Sequence, residues 1–215
     1  MSVVTDHLGV FGHGFLVTLQ ISAATFVLAG LLGLLLTVGR ISPVLPLRIF
    51  GNLYVSVVRS IPLLVLLMLF VFGLPEIGLI GPLLWTAVAA MSLYWATFFS
   101  ETLRSGIRAV PIGQIEAARA LGLTFGQVIR LVLLPQALRT IIQPLASLFI
   151  AITLNSSLAA SVGVTEELTG QTQLLDQQYA QPLVTFGAAA ACYVALTFLI
   201  GRLAGALDNR MAVAR

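Results

Sequence analysis

The sequence predicts an all-α integral membrane protein: five transmembrane helices, with a cytoplasmic helical elbow between helices three and four. Three observations predict it. Of the 215 residues, 59% are hydrophobic and 9% charged, more apolar surface than a soluble domain of this length needs. Charge-free runs recur at residues 14–39, 60–75, 77–100, 140–165 and 177–201, and all but the second exceed the roughly 20 residues that cross a bilayer as helix. The charges are also sorted by side. All eleven basic residues are arginine: Arg40, Arg48 and Arg59 between helices one and two, Arg104, Arg108, Arg119, Arg130 and Arg139 between three and four, and Arg202, Arg210 and Arg215 after five. The opposite side carries Asp6, Glu76, Glu166, Glu167 and Asp176, with no basic residue. The positive-inside rule then puts the N-terminus outside and the elbow and C-terminus in the cytoplasm.

The first run is too long for a signal-peptide core and no basic residue precedes it, so it is expected to stay in the mature protein. His7 and His13 flank its external end without metal-ligand spacing. Residues 60–75 are short for a span, so helix two is expected to start near Leu53, with Arg59 snorkelling to the interface. Pro62 removes a helix hydrogen bond there, which predicts a kink or a helix start. Helix three ends at Glu101 and Arg104, either an interfacial i,i+3 pair or part of a transmission route.

The elbow follows. Pro111 suits a first helical turn, the residues from Glu116 to Leu121 are good helix formers, and Gly122 suits a left-handed stop. Thr124 with Gln127 has the form of a capping box opening a second short helix. Phe125, Val128, Ile129, Val132 and Leu133 fall on one face, and Pro135 is expected to end the run. On these residues alone, a helix pair lying on lipid with its arginines on anionic headgroups remains an alternative.

In the fourth run, Asn155, Ser156 and Ser157 follow the apolar stretch 145–154. Polar groups at that depth need partners from other helices or a water-lined path, so the triplet is either interhelical glue or a pathway lining. Residues 165–179 are polar and acidic and predict a short surface helix outside. Cys192 stands alone among small apolar residues of helix five as a packed thiol, and one cysteine allows no internal disulfide.

The spacing Glu116-Ala117-Ala118, three residues, Gly122, nine residues, Val132, one residue, Leu134-Pro135 resembles the EAA loop of ATP-binding-cassette importer permeases. The wider run from Gly113-Gln114 to Gln136-Ala137-Leu138-Arg139 resembles the polar amino acid uptake branch, of histidine, glutamine and arginine permease type. Val132 departs from the Ile that pattern favours, a volume-conserving change. Thr18-Leu19 through Gly33 to Arg40-Ile41-Ser42, and Tyr54 through Arg59 and Pro62 to Leu64, extend the resemblance over nearly the whole chain, making residues 1–215 one transmembrane domain with a coupling loop at about 105–139.

The resemblance implies a permease subunit of an importer in a bacterial cytoplasmic (inner) membrane. It implies coupling to the ATPase through Gly113, Gln114, Glu116, Ala117, Ala118, Ala120, Leu121, Gly122 and Pro135. Its further partners would be a second permease subunit, identical or paralogous, two cytoplasmic ATP-binding subunits, an external solute-binding protein and membrane lipid, with no nucleic acid. The triplet Asn155, Ser156 and Ser157 falls where that family places polar residues of the substrate path, but Leu154 stands in the usual lysine position. Elimination agrees: a phosphate-binding loop needs a lysine and the chain has none. The resemblance implies that ATP and Mg are bound by the partner ATPase, with no cofactor, metal or catalytic residue expected in this chain. A passive channel or a membrane scaffold subunit is the alternative from the residues alone.

Overall fold

The computed structural model describes residues 2–212. Arg215 lies outside the described residues, as do the side chains of Phe125 and Arg210. A short α1 (Ser2–Asp6) leads into α2 (Leu8–Ile41), α3 (Leu45–Arg59) and α4 (Leu63–Met68). A π-helical turn (Leu69–Gly73) joins α4 to α5 (Leu74–Glu76), and α6 (Leu83–Arg108) and α7 (Ile112–Ala120) follow. Then come α8 (Phe125–Gln127), a second π-helical segment (Val128–Leu133), α9 (Leu134–Asn155) and a 3-10 segment (Ser156–Val162). The chain closes with α10 (Leu168–Tyr179) and α11 (Pro182–Ala212). Leu8–Ile41, Leu83–Arg108, Val128–Val162 and Pro182–Ala206 are each long and apolar enough to cross a membrane, and α3 with α4–α5 supplies a fifth span only as a bent pair.

That bend corrects the expectation for helix two. The helix does not rise from near Leu53: Leu45–Arg59 and Leu63–Glu76 meet at 101°. Pro62 caps α4 with an extended ψ of 136°, and the residue before a proline avoids helical backbone. The first helix instead closes with tight bonds from Ser60 N–H to the Val57 carbonyl and from Ile61 N–H to that of Val58. Arg59, left at the corner, lies over the Phe98 ring at 5.1 Å rather than reaching along a straight span to the interface.

Pro135 does not end a helix either. The π-helical segment widens the backbone just ahead of it, so Leu134 N–H reaches back five residues to the Ile129 carbonyl. Pro135 then occupies the first turn of α9, where no donor is required. The same device precedes Pro75, with Leu74 N–H on the Leu69 carbonyl. The elbow is therefore one short helix, α7, followed by the N-terminal end of the fourth apolar span itself.

Small residues set the core. With no hydrophobic drive between helices in lipid, close backbone approach does the packing, and Ala29, Ala87, Ala90 and Ala96 are wholly buried between α2 and α6. At Gly33 a Cβ would stand 2.4 Å from the Phe99 Cβ and 2.9 Å from the Ala96 carbonyl. Ile21, Leu67, Met91 and Ile152 complete this cluster. Phe26 packs on the rings of Phe99 and Phe149 at 4.9 and 4.8 Å. A second cluster of Phe11, Leu168, Leu175 and Ala189 lies at the far end, with Cys192 packed against it.

Gly33→Ala is expected to lower the melting midpoint of the purified protein, overpacking here costing about 1–3 kcal/mol. Gly201→Ala, where a Cβ meets nothing within 4 Å, is the control. Equal melting of the two variants would remove the close α2–α6 contact.

Candidate functional site

The elbow residues come together as one helix and its cap. Pro111 is the N-cap of α7 rather than its first turn, with ψ 133°. At the other end Gly122 N–H bonds the Arg119 carbonyl at 2.9 Å and Leu123 N–H bonds that of Ala118 at 3.2 Å. This Schellman pair places Gly122 at φ +80°, the left-handed geometry expected of it. Of α7 only Ala118 is buried; Gly113, Gln114, Glu116, Ala117 and Ala120 are exposed, and Ile112 and Leu121 stand 72% and 83% exposed. The Gln127 carboxamide accepts from Thr124 N–H at 2.9 Å, half of the expected capping box, and the Thr124 hydroxyl donates to it as well. Pro135 joins the site through its neighbour, since Gln136 donates to the Gln114 side chain and so ties α7 to the first turn of α9.

A polar cluster joins the C-terminal parts of α2 and α6 to the middle of α3. Arg40 is buried. It donates to Asn52 Oδ1 at 2.9 Å, Ser100 Oγ at 3.0 Å and Glu101 Oε1 at 2.7 Å. Arg104 reaches the same Glu101 oxygen at 3.7 Å, and Thr37 donates to Ser100 Oγ at 3.2 Å. The anticipated Glu101–Arg104 pair thus exists, but the shorter ion pair is with Arg40, which sequence spacing could not reveal. A cavity of 440 Å³ lined by Arg40, Asn52, Ser56, Arg59, Ser60 and Glu101 opens beside it.

The triplet sits elsewhere, about 30 Å of helix from Pro135, where α9 tightens into the 3-10 segment. Its members part company. Ser156 is wholly buried and donates to the Thr153 carbonyl at 2.8 Å and, at 3.5 Å, to Glu167 Oε1. Asn155 and Ser157 are partly exposed, and among the described residues their side chains bond only the nearby carbonyls of Ala151 and Leu154.

Glu167 departs most from the sequence reading. Rather than standing on the surface with the rest of residues 165–179, it is wholly buried and caps α10, its Oε2 accepting from Thr169 N–H at 2.7 Å. Its Oε1 accepts from Thr18 at 2.8 Å and from the Tyr193 hydroxyl. One carboxylate thereby joins α2, the 3-10 segment, α10 and α11. The local signal that could have found it is an acid at an N-cap, just before an otherwise polar helix. Glu166, beside it, is exposed as expected.

Residues 29–213 match the family described as the binding-protein-dependent transport system inner membrane component. The chain is 35% identical over 211 residues to the glutamate transport system permease protein GluC of Corynebacterium glutamicum, covering 93% of this chain and 92% of that one. It is 32% identical over 208 residues to the probable glutamine ABC transporter permease protein GlnP of Bacillus subtilis, covering 95% of each. Its fold superposes on a crystal structure of an amino acid ABC transporter with histidines at a TM-score of 0.91 and 28% identity, over 96% of both chains.

Replacing Glu167 tests the cluster it holds. Glu167→Leu takes the acceptor from the buried Thr18 hydroxyl and the half-buried Thr169 N–H, each loss worth about 1–3 kcal/mol, while the Tyr193 hydroxyl keeps Thr169 Oγ1 as a partner; the melting midpoint is expected to fall sharply. Glu167→Gln, which keeps one acceptor, should fall between it and the unaltered protein. Equal melting of all three would remove the cluster's structural role.

Proposed function

The chain belongs to the binding-protein-dependent transport system inner membrane components, a multi-pass permease subunit of an amino acid ABC importer, and we propose the partners, orientation and path through which it works. Family membership favours this over a passive channel or a scaffold subunit. The cargo is a polar amino acid, in keeping with the glutamate and glutamine systems it resembles. Two permease subunits, identical or paralogous, enclose the path; two cytoplasmic ATPases bind ATP and Mg; an external solute-binding protein delivers the cargo. The N-terminus faces outside and the C-terminus the cytoplasm, as the arginine distribution supports.

The observation that carries the reading is the exposed elbow. An α7 with Ile112 and Leu121 in solvent presents apolar surface that a soluble partner would cover. Closure of the ATPases displaces α7, and the Gln114–Gln136 contact together with the short link through Gly122 passes that displacement to α9. Because α9 is the membrane span, the stroke needs no further relay to reach the triplet. ATP drives the cycle only through its different affinity for the two states. At the far end of α9, Asn155 and Ser157 line the path and Ser156 holds it to the Glu167 cluster.

Gly122→Val should leave the protein in the membrane but loosen the ATPase or uncouple hydrolysis from uptake, since a β-branched residue resists φ +80°. Open space around Gly122 makes this a backbone effect rather than a clash. Normal uptake by that variant would sink the coupling role. Asn155→Leu should reduce uptake while assembly and melting persist, because its one bond is to its own helix; unchanged uptake would take Asn155 out of the path.

A further inference from the structure

Arg59 and Glu101 border two cavities at once. One, of 440 Å³, also carries Asn52, Ser56 and Ser60; the other, of 470 Å³, carries Thr102, Ser105, Thr140 and Pro144. Both volumes fall in the range that holds small solutes. Arg59 is exposed, and among the described residues its guanidinium has no hydrogen-bond acceptor; its partner is the Phe98 ring beneath it at 5.1 Å. A planar fork held over a ring, with its N–H groups free, is arranged to take a carboxylate through two parallel bonds.

Glu101 offers the opposite chemistry. Arg40 and Arg104 both engage its Oε1, at 2.7 and 3.7 Å, and the side chain is still 39% exposed. Among the described residues no donor reaches its Oε2, and no ion pair closes between Glu101 and Arg59. Pro144 adds an acceptor: it has no N–H for the Thr140 carbonyl four residues earlier in α9, and both residues line the second cavity.

A fork without an acceptor and a carboxylate oxygen without a donor, facing shared space, match the two ends of a free α-amino acid. We propose that Arg59 and Glu101 form a cytoplasm-facing site for the amino acid zwitterion. Arg59 takes the α-carboxylate and Glu101 Oε2 the α-ammonium, and the side chain enters the cavity of Ser105 and Thr140. This is distinct from the Asn155 region, which lies toward the other end of α9. The proposal rests on the importer reading and adds to it a place where cargo, or the cytosolic pool of the same amino acid, engages the permease after crossing.

The test uses the assembled transporter in nanodiscs, without ATP and without the binding protein, titrated with radiolabelled L-glutamine and L-glutamate. Saturable binding is expected, competed by the free amino acids but not by their N-acetyl or α-methyl ester derivatives. Arg59→Gln should weaken it about tenfold or more, and Arg59→Lys, keeping charge without the fork, should fall between. Among the described residues Arg59 makes no hydrogen bond whose loss would unfold the protein, so its variant is decisive; Glu101→Gln is read together with its melting midpoint, because Glu101 also holds Arg40. In sealed vesicles, binding should occur only where the cytoplasmic face is outward. Equal binding by Arg59→Gln, absence of binding, access from the external face, or competition by the N-acetyl derivative as strong as by the free amino acid would each overturn the site. Uptake in proteoliposomes with the binding protein separates the two readings. ATP-driven uptake by the unaltered transporter alongside any of those results removes the site alone, whereas no ATP-driven uptake of any amino acid removes the importer reading.

Discussion

A helix in hydrocarbon must satisfy each backbone N–H and C=O within itself or against a packed neighbour, and this chain departs from that at chosen prolines. Pro62 turns the chain through 101° between two helices. Pro75 and Pro135 are each preceded by a π-helical segment that moves the backbone bond back by one residue. Pro144 lies inside α9 and leaves a carbonyl one turn earlier without its helix donor. Those departures determine where cavities form. Because α3 leaves the line of α4 at Pro62, its face of Asn52, Ser56 and Arg59 borders open space near α6 instead of packing as a straight span. A continuous helix through residues 45–76 would remove that space.

Between the prolines, packing of two kinds resists movement. Small residues bring α2 against α6 closely enough that Gly33 has no room for a Cβ. At one end of that pair Arg40 is held by Asn52, Ser100 and Glu101; at the other Glu167 is held by Thr18, Tyr193 and the α10 backbone. Removing one partner from a buried charged group costs far more than the net gain of forming the group. These clusters are therefore arranged to move as units, and bending is left to the π-helical segments and the Pro62 corner.

The legible part of the sequence was what depends on local chemistry. Gly122 with its left-handed backbone, the Thr124–Gln127 contact and the helix start after Pro62 each follow from a few adjacent residues, and so do four apolar spans. What was missed depends on residues far apart in the chain. Arg40 meets Glu101 across 61 positions and Thr18 meets Glu167 across 149, and no periodicity encodes either pairing. The extent of α3 was missed as well: it begins at Leu45, ahead of the start expected near Leu53, and the sharpness of the turn at Pro62 is not written in hydropathy. Pro135 was misjudged for a different reason: the widened turn ahead of it carries the helix past the proline, and that widening is a backbone state that residue types do not announce.

Joining the elbow directly to a transmembrane helix has a mechanical consequence. Were α7 followed by a second free helix, as the residues alone suggested, a push on it would be absorbed at two joints. With α8, the π-helical segment and α9 continuous, a push on α7 would pass through Gly122 and the Gln114–Gln136 contact into the widened turn at Val128–Leu133, which opens the span itself. A displacement entering there is carried along α9 past Pro144 to Ser156, where the buried Glu167 cluster resists it. Motion then concentrates between those two anchors, the stretch of α9 that Pro144 has already weakened. The end with its open cavities and the end with its buried carboxylate are thus joined by one helix able to flex at its middle, as the alternating access proposed for this chain requires.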